Sequence, residues 1–174
     1  MRLPNIPPDE KCRLRTARLD LEPLVSSHAE ILYPILSDPS LHTFTGGAPP
    51  RSQAHLAAIY ARRENRRSPD GDELWLNWLV RERAQGVGVG YAQATISSRH
   101  SLVAWVIGGS WQRRGYASEV ARGLVAWLET LHMPEVRAHV HPLHIASQKV
   151  AQRAGLRRTS QLVDDGEEVW ARES

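Results

Sequence analysis

Seven apolar residues, Ala117, Val120, Ala121, Leu124, Val125, Leu128 and Leu131, fall at i, i+3, i+4, i+7, i+8, i+11 and i+14. That spacing puts them on one face of an α-helix, and the face needs a layer to bury it. Just upstream, Leu102 to Ile107 is an apolar run of strand length. Gln112-Arg113-Arg114-Gly115-Tyr116-Ala117 joins the two. A strand, a short basic glycine loop and a helix, in that order, aim free backbone N–H groups and the positive end of a helix dipole at one point. Such a point suits a phosphate or pyrophosphate. Gly115 lets the backbone approach the anion, Ala117 leaves the first turn uncrowded, and Arg113 and Arg114 add charge beside it.

The rest of the chain reads as one mixed α/β domain. Its 174 residues are 41% hydrophobic, enough for a real core. Arg13 to Leu24 reads as a first strand, and a helix follows from Ser26-Ser27-His28 through Leu36, stopped by Asp38-Pro39. Thr45 to Pro50 is a loop, and a second helix is predicted from Ser52 to Arg66. Ser68 to Asp72 is a turn. The alternation from Leu74 to Arg81 predicts a strand, with Val87 to Ile96 as its hairpin partner. His132-Met133-Pro134 stops the 117–131 helix, and Val136 to His141 is β-like. A helix over 145–154 and a hairpin of Leu156 to Val163 with Glu167 to Ala171 complete the order. Residues 1–12 read as a tail ahead of a domain spanning 13–174.

No apolar run approaches the ~18 residues of a membrane span, and proline-rich residues 1–8 lack an apolar signal stretch, so a cytoplasmic protein is expected. One cysteine, Cys12, excludes an internal disulfide or a cysteine-based metal cluster. The charge is +3, almost all of the basic residues being arginine. Arg62, Arg63, Arg66 and Arg67 raise a nucleic-acid reading; no aromatic interleaving supports base stacking there, and a solvated helix face is the plainer account. Gly86-Val87-Gly88-Val89-Gly90 mimics a dinucleotide fingerprint, but no helix follows, so a glycine-rich strand or turn is expected. No Gly-x4-Gly-Lys-Ser/Thr is present, which excludes a P-loop enzyme.

After the 117–131 helix and the 136–141 strand comes His144-Ile145-Ala146-Ser147-Gln148-Lys149-Val150, running on to Gly155-Leu156. With Gln112, Gly115 and Ala117, this pair of segments resembles the acetyl-CoA site of the GCN5-related N-acetyltransferases. Gln112 to Ala117 fits their Gln/Arg-x-x-Gly-x-Gly/Ala motif. Ser147, Val150, Gly155 and Leu156 fit a second motif, Asn-x-x-Ser-x-x-Val ending in Gly-Phe, with His144 where asparagine is usual. Leu14 to Leu21 resembles the opening strand of the branch that contains the ribosomal-protein alanine acetyltransferases. The resemblance covers roughly residues 13 to 172 and is specific over 101–156.

The resemblance implies a single-domain fold of that family: a mixed, mostly antiparallel sheet with splayed central strands, here 102–107 and 136–141, flanked by helices. It implies acetyl-CoA as co-substrate and no metal. Gln112, Arg113, Arg114, Gly115, Tyr116, Ala117 and Ser118 would cradle the pyrophosphate. Trp105, Val106 and Ile107 would bind pantetheine and polarise the thioester carbonyl. His144 would do part of the asparagine's hydrogen bonding across the split strands and the pantetheine. Ser147 would serve the departing thiolate as the catalytic residue, since the tyrosine used by other members is Ala151 here; its plainer role is a bond to the preceding helical turn.

Other residues carry two readings. His139, His141 and His144 raise a metal site, against ordinary polar residues at a strand end. Glu73, His42 and His28 are candidate bases, with a water chain equally suited. Trp75, Trp78, Trp105 and Trp111 either line an acceptor pocket or sit in the core, and Trp75 and Trp78 face opposite sides of their strand. Asp164, Asp165, Glu167 and Glu168 either attract a cationic amine or form a solvated turn. The expectation is a bacterial-type acetyltransferase acting on a primary amine, a protein N-terminus or a small molecule, without a covalent enzyme intermediate; Cys12 makes a poor nucleophile. A non-catalytic acyl-CoA-binding sensor or interaction module is the rival, and a homodimer is a family-level expectation.

Overall fold

The computed structural model describes Leu3, Cys12 to Val163 and Asp165 to Glu173. Most of the expected tail, and Asp164, lie outside the described residues. Cys12 itself is buried, and its carbonyl accepts the Trp78 indole N–H at 2.6 Å.

Among the described residues, eight strands and four α-helices make up the fold: β1 (Leu14–Arg15), β2 (Leu19–Pro23), α1 (Ala29–Leu36), α2 (Gln53–Arg63), β3 (Leu74–Glu82), β4 (Val87–Ile96), β5 (Ser101–Ile107), α3 (Tyr116–Thr130), β6 (Glu135–Val140), α4 (Ile145–Arg153), β7 (Arg157–Leu162) and β8 (Glu168–Glu173). The strands form one sheet in the order β1-β2-β3-β4-β5-β6-β8-β7. Only β5 and β6 run parallel; the other neighbours are antiparallel.

Two sequence expectations need correction. Arg13 to Leu24 is not one strand but a tight hairpin of β1 and β2. Thr16 makes the corner: its N–H donates to the Leu19 carbonyl at 2.9 Å, and its hydroxyl accepts the Leu19 N–H at 3.2 Å. The second helix ends at Arg63 rather than Arg66, because Arg66 adopts a left-handed φ of 57° that no helix continues through. Its start is as expected, with the Ser52 hydroxyl accepting the His55 N–H at 3.1 Å.

The sheet has a different layer on each face. Residues of β3, β4 and β5, among them Trp78, Val80, Val89, Ala92 and Val103, pack with Val120, Leu124 and Leu128 of α3 and with Ala151 of α4. Trp78 meets Trp127 edge-on at 5.7 Å. Alternate residues, Leu79, Tyr91 and Val106, turn to the other face and pack with Leu32, Ile35, Leu56 and Tyr60 of α1 and α2.

In the glycine run, Gly86 ends the turn at a left-handed φ of 67°, and Gly88 and Gly90 lie in β4, where neighbours explain them. A Cβ on Gly88 would stand 2.3 Å from the Ile31 side chain of α1, and one on Gly90 would stand 2.0 Å from the Val106 carbonyl oxygen of β5. The second obstacle is backbone and cannot swing away. Gly90→Ala is therefore expected to destabilise the fold by at least about 2 kcal/mol, read as a lower urea midpoint at unchanged slope.

The central gap is real. β5 and β6 pair only at Ser101–Val136 and Leu102–Arg137. Beyond Leu102 the two strands part, and the β6-facing edge of β5 has no sheet partner.

Candidate functional site

A cavity of about 540 Å³ occupies the gap between β5 and β6. On one side it is lined by Gln112, Arg113, Gly115, Tyr116, Ala117 and Ser118 and by Ala146, Ser147, Lys149, Val150 and Arg153 of α4. Trp105, Val106, Ile107 and Trp111 form its middle, and Ser40, Leu41, Phe44 and Thr45, between α1 and α2, form its other end. Trp105 and Val150 pack with the α3/α4 layer, Leu41 and Val106 pack with the α1/α2 layer, and Trp111 touches both. The cavity thus passes through the sheet.

The loop before α3 is shaped by two left-handed residues, Arg113 (φ 60°) and Gly115 (φ 82°). Gly115 is the N-cap of α3 and offers no side chain to cap it. The first intrahelical bond is Glu119 N–H to the Gly115 carbonyl, at 3.0 Å. The amides of Tyr116, Ala117 and Ser118 therefore have no helical acceptor and stand at the cavity wall. The Gln112 side-chain amide, at the cavity wall, donates to the Ile107 carbonyl at 3.0 Å and ties the loop to the end of β5. Arg114 is not part of the lining; its carbonyl accepts Arg18 Nη1 at 3.0 Å.

Arg18 and Glu119 brace this loop, and sequence reading missed both. Glu119 is buried in the first turn of α3. Its carboxylate accepts the Thr16 hydroxyl at 2.5 Å, the Arg18 backbone N–H at 2.7 Å and Arg18 Nε at 2.7 Å. The Arg18 guanidinium also lies over the Tyr116 ring, 4.7 Å from its centre. Burial alone would raise the Glu119 pKa, but the bonds from Thr16 and Arg18 outweigh it and hold the carboxyl below its ordinary value. The only sequence signal was a glutamate on the first turn of a helix.

His144 sits at the N-cap of α4, and Ser147 lies one turn along; both line the cavity. The His144 ring does not bridge the split strands. Among the described residues it makes no hydrogen bond, and it stacks on Phe44 at 4.7 Å, with His141 against the same ring at 5.2 Å. Burial, and then the neighbouring His141, push the His144 pKa below its ordinary value. The Ser147 hydroxyl likewise has no hydrogen-bond partner among the described residues, so the bond to the preceding turn is not made. Ala151, at the position of the absent tyrosine, is buried in the core.

The other candidates are placed elsewhere. His28 faces Glu22 at 3.8 Å, in a cluster with Arg13 and Arg81. Glu73 accepts the Trp75 indole N–H at 2.8 Å. His42 bonds the Leu36 carbonyl at 2.8 Å through Nε2. None of the three lines the cavity. Trp78 is core; Trp105 and Trp111 line the cavity. Trp75 instead lies in a groove with Arg62, Arg63 and Arg67, so an aromatic does stand among those arginines, brought there by the Arg67–Leu74 bridge. Glu168 is no solvated turn residue: it is buried and pairs with Arg158 at 2.5 Å. Among the described residues no group of three or more His, Cys, Asp or Glu side chains could hold a metal ion, and no helix is long and apolar enough to cross a membrane.

A splayed mixed sheet with a glycine loop and an uncapped helix at its gap defines an acyltransferase-type architecture. Residues 18–157 match the acetyltransferase (GNAT) domain, and the chain belongs to that family of acetyltransferases. No curated protein matches it. Solved structures share the fold at low identity. A GNAT-family acetyltransferase from Bacillus anthracis superposes with a TM-score of 0.76 at 15% identity, covering 92% of this chain and 98% of its own. A candidate ribosomal-protein-serine acetyltransferase from Vibrio cholerae gives 0.76 at 19%, covering 93% and 97%. Spermidine N-acetyltransferase from Vibrio cholerae, solved with CoA and spermine, gives 0.73 at 16%, covering 89% and 94%.

Proposed function

We propose that this chain moves an acetyl group from acetyl-CoA directly to a primary amine. The through-sheet cavity carries the reading. It joins an anion-suited helix N-terminus on one face of the sheet to a largely uncharged chamber on the other. The residues present fit the co-substrate. The amides of 116–118 and the Arg113 guanidinium suit a pyrophosphate, and Lys149 and Arg153 add positive charge along α4. The unpaired edge of β5 supplies backbone groups for an amide-rich pantetheine and an N–H for the carbonyl oxygen as charge develops on it. Ser147, its hydroxyl uncommitted, stands where it can donate to the departing sulfur. The narrow gap holds the two reactants in line, which removes much of the entropic barrier to their meeting.

The test is thermal unfolding with and without acetyl-CoA. Ligand at ~100 times its dissociation constant adds about 2.7 kcal/mol of stability. For a chain of this size that raises Tm by roughly 5–10 °C. No shift at millimolar acetyl-CoA would overturn the reading. A shift without release of CoA thiol on any amine would leave the sensor module as the function. Ser147→Ala is expected to lower turnover by about 10-fold or more while leaving the acetyl-CoA shift intact. Equal turnover would make Ser147 structural.

A further inference from the structure

An amine cannot attack until it has lost its proton, and the proton must go to a group within reach. The cavity offers little choice. No aspartate or glutamate is among its described lining residues. Arg113, Lys149 and Arg153 offer donors and no acceptor, and the Tyr116 ring lies under the Arg18 guanidinium. His144 is the remaining titratable group, and it stands one helical turn from Ser147. Its ring nitrogens are uncommitted among the described residues, while Phe44 fixes the plane of the ring by stacking at 4.7 Å. Phe44 belongs to the α1/α2 end of the cavity, opposite the basic loop. The ring therefore sits where the acceptor side meets the acyl side.

We propose that His144 is the catalytic base that takes the proton from the acceptor amine. This rests on the acetyl-transfer reading above. In the step, an ammonium proton moves to a ring nitrogen of His144. The freed nitrogen lone pair forms the C–N bond to the thioester carbonyl carbon, and the C–S bond breaks. The second amine proton ends on the departing sulfur, with Ser147 donating to it, and His144 returns the first proton to solvent. His141, just past β6, lies against the same Phe44 ring, and Arg113 from the loop before α3 and Lys149 and Arg153 from α4 line the same cavity; the 40–45 segment lends Phe44 to that lining, while its His42 stays out of it. Burial, and then His141, hold the His144 pKa below its ordinary value.

The experiment uses the full chain, acetyl-CoA and a tryptic digest of total cell protein, whose peptides carry α-amino groups and, in many, a lysine. Mass spectrometry locates the acetyl group. The expected result is acetylation of peptide amines, with kcat/KM rising through a midpoint below the ordinary imidazole value of ~6.5. His144→Asn and His144→Ala should each lose about 100-fold or more in rate. Both should keep the acetyl-CoA-induced Tm shift and lose that limb of the pH profile, and added imidazole should restore part of the His144→Ala rate. An unchanged rate or limb in both variants, or no acetylation by a chain that shows the acetyl-CoA shift, would each overturn the proposal. Absence of the shift in the wild type is a different failure, that of the acetyl-CoA reading itself.

Discussion

Gly115→Glu is expected to abolish the acetyl-CoA-induced Tm shift, with affinity falling by at least about 100-fold. Three effects act together. Gly115 sits at φ 82°, where any side chain costs about 1–2 kcal/mol, so the loop would relax toward another shape. The new carboxylate would stand beside the three open amides of 116–118 and compete for them. A Cβ here is already 3.4 Å from Arg18 Nη2, so the added carboxylate would also draw that guanidinium away from Glu119. Fluorescence of Trp105 and Trp111, both in the cavity wall, would report binding independently of unfolding. Unchanged affinity in a folded variant would remove the loop from the site.

Glu119→Gln is the second large effect, this time on stability. Its carboxylate holds the Thr16 corner of the β1–β2 hairpin against the start of α3 through three short bonds. The Arg18 side chain is half exposed, so its ion pair contributes little; the hydroxyl and backbone N–H bonds carry the loss. A cost of about 2 kcal/mol is expected, a fall of roughly 4–8 °C in Tm. The pH dependence has a definite sign. The folded-state pKa lies below the ordinary 4.5, so the contribution is complete above that value and is lost as pH falls through the folded value. Wild type and variant should therefore differ most near neutrality and converge in acid. Equal stability at pH 7 would show that the hairpin does not depend on the bond. Acetyl-CoA should also bind the variant more weakly, since Arg18 then loses its hold on the Arg114 carbonyl.

The α3 stripe, the basic loop and the 145–154 helix were legible because each is a local pattern whose period or composition states its role. The family motifs then located the gap, which periodicity alone does not encode: β5 and β6 have ordinary strand sequences, and their separation follows from what packs on either side. The 14–23 hairpin was missed because its corner is one threonine hydroxyl, with no glycine or proline to mark it. Glu119 and Arg18, 101 residues apart, were invisible because only the folded chain brings them together. His144 was noticed as a departure from the motif but given the asparagine's bridging role. What redirects it is Phe44, a hundred residues earlier, on whose ring the imidazole stacks.

The parting of β5 and β6 has a kinetic consequence. With the co-substrate proposed beside α3 and the amine proposed beside Phe44, neither has to leave before the other arrives, so direct transfer would hold both at once and park no half-reaction on the protein.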